Sequence, residues 1–275
     1  MNFEERWIEQ NKRTDLSETQ QFWDNRAAEF NEIGKRQMDD DPVIKLLKSK
    51  DAIFSGARVL DIGCGAGRYS KAFLEMGCEV VGIDISPNMI DFTRENTAGL
   101  NADQFSFKVL PWEQADLAAE GWEGHFDLVF ASMSPAISGP DEVRKMIQAS
   151  KGYCFMSSHL VKEDKLGVEL KQALGKETRV ADYRNTLYYA FNTLWEMGYF
   201  PEFRHSENQR VKVWDVEKAA NYYAHMLKET DEESKQAIRD YLDQNSDNGQ
   251  IEDVNYSKNG QLLWSVQSLQ MDGRK

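Results

Sequence analysis

The stretch Val59-Leu60-Asp61-Ile62-Gly63-Cys64-Gly65-Ala66-Gly67 constrains the fold of this chain more than any other. A short apolar run ends in alternate glycines, and a helical stripe of Tyr69, Ala72, Phe73 and Met76 follows. A strand, a tight turn and a helix in direct succession open a β-α-β unit, whose strands lie parallel. The glycines let the backbone turn sharply and let a ligand lie against it without meeting a Cβ. Gly77 closes the helix, Glu79–Asp84 reads as the next strand, and Ser86-Pro87 starts a helix with a capping hydroxyl and a first-turn proline. Further strands read at Phe105–Leu110, Phe126–Ala131 and Tyr153–Ser157, with a helix over 140–150. Strands that are apolar through most of their length are covered on both faces, so the expected core is a parallel sheet between helices.

The flanks are less regular. Residues 1–55 read as helices, with Phe22, Trp23, Arg26, Ala27, Phe30 and Ile33 near one face. Asp41-Pro42 starts a helix whose stripe is Val43, Ile44, Leu46 and Leu47. Beyond His159 a charged helix is expected over 162–175. Tyr183, Leu187, Ala190, Phe191, Leu194 and Trp195 form a stripe closed by Gly198. A sixth strand begins near 200–203, helices cover 215–228 and 231–243, and a last strand follows at 261–266. The tail Asp272-Gly273-Arg274-Lys275 reads as frayed. The division expected is a helical cap over 1–55, a core over 56–160, and a segment over 161–275 that completes the sheet and carries inserted helices at about 162–182 and 215–245.

Charge and cysteines narrow the function. Lys and Arg number 33 and Asp and Glu 46, a net charge of −13, which disfavours nucleic acid and anionic membrane as partners. No apolar run reaches the roughly 20 residues of a membrane-spanning helix. The first residues lack a signal-peptide core. Cys64, Cys78 and Cys154 form no CxxC pair, which fits buried thiols in a reducing cytoplasm and offers no metal cluster.

Asp84 ends the second strand 23 positions after Asp61, where a carboxylate can accept from both hydroxyls of a ribose. The loop does not fit a dinucleotide: GxGxxG read from Gly63 puts Arg68 at the third glycine, and read from Gly65 it puts Ser70 there. No G-x-x-x-x-G-K-[ST] phosphate loop occurs either. A ligand with a ribose but no pyrophosphate suits GxGxG better.

With Val81-Gly82-Ile83-Asp84-Ile85-Ser86, the glycine stretch resembles the class I S-adenosylmethionine-dependent methyltransferases over about residues 20–160. The resemblance implies an α/β, Rossmann-like, seven-stranded and mostly parallel sheet, its last strand antiparallel, sandwiched by helices, with N-terminal helices and a helical lid. It implies S-adenosyl-L-methionine as cofactor, with Gly63, Gly65, Gly67 and the Cys64 segment under its methionine part. Asp61 would fix the loop and the cofactor's amino group, Asp84 would hold the ribose, and Ile85 and Met89 would line the site. The acidic residue usual after the third strand is replaced by Pro111. Trp112 then becomes a candidate adenine wall or a core aromatic, and Glu113 a candidate acceptor. Phe126–Pro135 matches the fourth strand and its loop, so Ser132, Met133 and Ser134 should face the transferred methyl. That loop is not the Asn/Asp-Pro-Pro-Tyr/Phe of enzymes that methylate nucleobase amino groups.

The expected reaction is methyl transfer to an O, N, S or C atom of a small-molecule acceptor by in-line displacement. A base is needed only for an acceptor protonated at neutral pH, and His159, just past the fifth strand, is the candidate. Trp23 in the leading helix and Tyr188 are candidate acceptor contacts. Two other classes stay open at this point: a non-catalytic S-adenosylmethionine-binding sensor or scaffold, and an NAD-dependent oxidoreductase, which the glycine spacing opposes. The sequence leaves the oligomeric state open.

Overall fold

The computed structural model describes residues 2–11, 15–34, 38, 40–178 and 183–267. Three helices, α1 (Phe3–Gln10), α2 (Leu16–Gly34) and α3 (Pro42–Ser49), precede the sheet. Strands and helices then alternate as β1 (Arg58–Ile62), α4 (Arg68–Glu75), β2 (Glu79–Asp84), α5 (Pro87–Thr97), β3 (Phe105–Val109), α6 (Leu117–Glu120), β4 (Phe126–Ser132), α7 (Pro140–Ala149) and β5 (Ser150–Asp164). After these come α8 (Lys165–Ala173), α9 (Arg184–Glu196), β6 (Glu202–Asp215), α10 (Val216–Met226), α11 (Glu232–Gln244) and β7 (Gln250–Ser265).

The sheet has seven strands in the order β3-β2-β1-β4-β5-β7-β6, mostly parallel with one antiparallel strand. Parallel pairing sets Val59 beside Val80 and Leu128, and Leu128 beside Tyr153. The chain runs outward from β1 to β3 and then returns to β4. The order therefore reverses between β1 and β4, and the carboxyl ends of those strands are where an open α/β sheet holds a ligand. The expected fold is observed.

The chain forms two compact units. The first comprises Met1–Ser158, Asn185–Arg204 and Gly260–Lys275, and the second His159–Arg184 and His205–Asn259. In the first, α3 and α4 lay Leu46, Leu47 and Phe73 on Val59, Val80, Leu128 and Phe130 of the sheet. Phe130 stacks on Phe155 at 4.8 Å between centroids and meets Phe73 edge-on at 5.1 Å. Asp41 caps α3 by accepting from the amides of Val43 and Ile44, as Asp41-Pro42 predicts. In the second unit, Leu166 and Leu170 of α8, Ala219 and Tyr223 of α10, and Ile238 and Leu242 of α11 share a core.

The late strands are longer than the sequence suggests. β5 extends to Asp164, so the helix expected from 162 begins at Lys165, and β7 starts at Gln250, well before the expected 261. β6 is exposed along most of its length and carries the polar run Arg204–Arg210. Such strands are held by backbone pairing and show little apolar alternation to read. The Ile33 side chain and the tail Asp272–Lys275 lie outside the described residues. Among the described residues, no helix is long and apolar enough to cross a membrane, and no His/Cys/Asp/Glu group is placed to hold a metal.

Candidate functional site

The site grows from the end of β1. Gly63 and Cys64 donate their amides to the Ile83 carbonyl at 2.8 and 3.0 Å, which bends the chain toward β2. Gly63, Gly65 and Gly67 then adopt φ of +69°, +57° and +82°, a region that disfavours side chains. Their surroundings differ. A Cβ on Gly63 would lie 2.2 Å from Ser134 Oγ, and one on Gly67 would lie 2.8 Å from Thr93 Cγ2. A Cβ on Gly65 would meet only Met89 Sδ, at 4.0 Å. The outer glycines are thus required by neighbours in the fold, and the middle one borders open space.

Asp84 stands beside that space. Its Oδ2 accepts from the Gly65 amide at 2.9 Å and its Oδ1 from the Ser86 amide at 2.9 Å. Burial pushes its carboxyl up, and the amide hydrogen bonds act against that rise. The Ile85 amide also acts on it, and a carboxylate offers about four lone-pair sites, so acceptor capacity remains for a ligand hydroxyl. Asp61 is held differently: it is 2% exposed and accepts from Ser70 Oγ at 2.7 Å. That bond ties β1 to the first turn of α4, and burial pushes the Asp61 carboxyl up to about 7.

The Cys64 side chain packs in the sheet core, near Thr93 Oγ1, so only its backbone belongs to the loop surface. Ile85 is half-buried and Met89 is 2% exposed. Met89 packs with Ala66 of the loop and with Trp23, Ala27 and Phe30 of α2. Trp112 lies in a short turn after β3 and is 1% exposed. Its Nε1 donates to the Glu142 carbonyl at 3.3 Å, and Lys145 Nζ sits 5.1 Å from its ring while bonding three carbonyls of that turn. The indole therefore joins the turn to α7 and presents no open face, while Glu113 is exposed.

At the end of β4, the hydroxyls of Ser132 and Ser157 lie 3.1 Å apart. Met133 follows at φ +55°, strained for a methionine, with its amide donating to Ser157 O and Oγ at 3.1 and 3.0 Å. Met133 is exposed, and Ser134 rests on Gly63. Tyr188 of α9 is exposed and meets Phe3 edge-on at 5.9 Å. His159 belongs to the second unit, where its Nδ1 lies 2.8 Å from Asn259 Oδ1 and burial lowers its pKa.

Sequence reasoning missed several residues of the loop. Thr93 donates to the Gly65 carbonyl at 2.6 Å, and Asn96 donates to the Ala66 carbonyl at 2.9 Å. Asp24 of α2 accepts from Ser86 Oγ at 2.5 Å. All three are polar residues on helices, and nothing in the sequence marks them as partners of the loop. Only the closeness of those helices to the loop shows it.

A family model for a methyltransferase domain matches residues 53–184. The matched segment contains the alternating sheet strands, the switch point and the open glycine. Residues 53–184 thus match a methyltransferase domain. The 23S rRNA (uracil(1939)-C(5))-methyltransferase RlmD of Shewanella amazonensis is 35% identical over 99 residues, 36% of this chain and 22% of that protein. The ubiquinone biosynthesis O-methyltransferase of Xanthomonas campestris pv. campestris is 40% identical over 74 residues, 27% of this chain and 29% of that protein. The chain thus spans less than a third of the length of either relative. In fold, the chain is similar to a solved protein of Bacillus halodurans C-125 assigned as a methyltransferase. The TM-score is 0.50 at 16% identity, covering 82% of this chain and 98% of that one.

Proposed function

We propose that this chain transfers a methyl group from S-adenosylmethionine to a small-molecule acceptor. The observation that carries the cofactor reading is the open side of Gly65 next to the Asp84 carboxylate, whose remaining acceptor capacity suits a ribose hydroxyl. Gly63, Gly65 and Gly67 would lie under the methionine part, with Asp61 fixing the loop through Ser70. Ile85 and Met89 would line the adenosine end.

The bound cofactor supplies a methyl carbon that is already electrophilic on its sulfonium. The protein then has to align the acceptor atom with that carbon and keep water out. Ser132, Met133 and Ser134 at the end of β4, with Trp23 and Tyr188, are the proposed acceptor contacts. In the second unit, with Asn259 Oδ1 accepting from His159 Nδ1–H, the lone pair is on Nε2, and burial favours the neutral ring.

The small-molecule reading is supported by the net charge of −13, unsuited to a phosphate backbone, and by one of the two relatives being an O-methyltransferase of ubiquinone biosynthesis. A cytoplasmic location fits three free, buried thiols.

The test is side-by-side calorimetric titration with S-adenosylmethionine, S-adenosylhomocysteine and NAD. Labelled methyl transfer into a small-molecule extract and into RNA follows. Micromolar binding of the first two, none of NAD, and label in the small-molecule fraction are expected. Label in RNA would overturn the acceptor class. Tight binding with no transfer to any fraction would favour a sensor or scaffold.

A further inference from the structure

We propose that Asp24 of α2 is a positioning residue for Asp84, acting through Ser86. The inference rests on the reading of Asp84 as the ribose carboxylate. Ser86 connects the two acids from opposite ends: its hydroxyl donates to Asp24 Oδ1 at 2.5 Å, and its amide donates to Asp84 Oδ1 at 2.9 Å. The same hydroxyl accepts from the Met89 amide at 3.1 Å, so its proton is committed to Asp24 and cannot turn toward Asp84. Asp24 Oδ1 also accepts from the Asn88 amide at 3.3 Å, and its backbone carbonyl accepts from Asn88 Nδ2 at 3.2 Å. Asp24 therefore caps α5 from a different helix, as a negative charge at a helix start. The first turn of α5, and with it the amide aimed at Asp84, is held from outside.

The charge of Asp24 adds a second effect. Among the described residues, the titratable groups that act on or respond to Asp84 are Asp24 of α2, Asp61 of β1 and the Cys64 thiol of the loop. The Asp24 charge, with burial, works to raise the Asp84 pKa. Removing that charge lets Asp84 stay ionised, and so able to accept from a ribose, at lower pH.

The test is calorimetric titration of the full chain from pH 5 to 8 with S-adenosylhomocysteine and with its 2′-deoxy analogue. The proteins are wild type, Asp24→Ala and Asp24→Asn. Asp24→Ala should weaken S-adenosylhomocysteine by about tenfold and the 2′-deoxy analogue by no more than about twofold. Asp24→Asn keeps an acceptor oxygen without the charge and guards against loss of fold. It should move the acid limb of S-adenosylhomocysteine binding to lower pH. Unchanged affinity in Asp24→Ala, an equal loss for both ligands, or an unmoved acid limb in Asp24→Asn overturns the assignment. A wild type that binds neither ligand overturns the cofactor reading itself.

Discussion

Asp84 in the first unit takes its hydrogen bonds from the backbone amides of Gly65 and Ser86. Asp253 in the second, 4% exposed, takes them from Trp214 Nε1 at 3.0 Å and Asn255 Nδ2 at 2.6 Å. Asp164, in the same unit, accepts from the Tyr223 hydroxyl at 3.0 Å as well as from the Gly167 amide. The donors make the difference. A backbone amide fixes a carboxylate without filling the space around it, and beside Asp84 the space at Gly65 stays open. An indole or a phenol satisfies the charge and fills its surroundings, as Tyr223 does at 1% exposure. The first arrangement leaves acceptor capacity for a ligand, and the second spends it on the fold.

Substitutions that act on one unit and spare the other test this contrast. The largest effect is expected for Gly65→Val, which should abolish S-adenosylhomocysteine binding, a loss of more than about a hundredfold. The fold should survive, because the new Cβ meets only Met89 Sδ at 4.0 Å, although φ +57° costs about 1–2 kcal/mol of strain. Calorimetry and a melting curve on the same sample separate the two effects, and retained binding would remove the loop from the site. Tyr223→Phe should do the opposite. It takes the hydroxyl from the half-buried Asp164 carboxylate and should cost about 1 kcal/mol in chemical denaturation. Affinity for S-adenosylhomocysteine should not change. A weakened ligand with normal stability would give Tyr223 a functional role.

How far each region could be read from the sequence follows the same division. Around the glycines, the constraints lie in the backbone. Residues with positive φ, a cap at Ser86 and apolar strands leave marks in the sequence, so the parallel sheet and the place of Asp84 at the end of β2 were legible. Trp112 was ambiguous, because an aromatic after a strand packs or lines a ligand equally well, and only its bond to Glu142 and the Lys145 contact decide. Asp24 was invisible, because an acid on an amphipathic helix looks solvated until Ser86 comes within 2.5 Å. In the second unit, helices were expected over 162–175, 215–228 and 231–243, and α8, α10 and α11 lie there. The extensions of β5, β6 and β7 were not expected, since pairing of backbone groups in mostly polar segments writes no apolar pattern.

Within the first unit, Asp84→Ala should weaken S-adenosylhomocysteine by at least about tenfold, or about 1.4 kcal/mol, by leaving a ligand hydroxyl without an ionised acceptor. Affinity equal to wild type in a calorimetric titration would exclude Asp84 from the site.

The test at Asp61 is read in stability and separates burial from ligand binding. Its carboxyl is pushed up to about 7 in the folded protein by burial, with the Asp84 charge adding and the Ser70 hydrogen bond opposing. In the unfolded chain it ionises near the ordinary value of about 3.9. Between those values the folded state holds a proton that the unfolded state has lost, so stability falls as pH rises through the window. The contribution is bounded by about 1.4 kcal/mol per pH unit. Asp61→Asn keeps an acceptor for Ser70 Oγ and removes the titration. The gap between wild type and Asp61→Asn in melting temperature should therefore move against the wild type from about pH 4 to pH 7, and stay level above it. Parallel curves would mean that Asp61 is ionised throughout. The first unit would then hold a second buried charge, Asp61 beside Asp84, and the Ser70 hydroxyl would be stabilising the charge as well as anchoring α4.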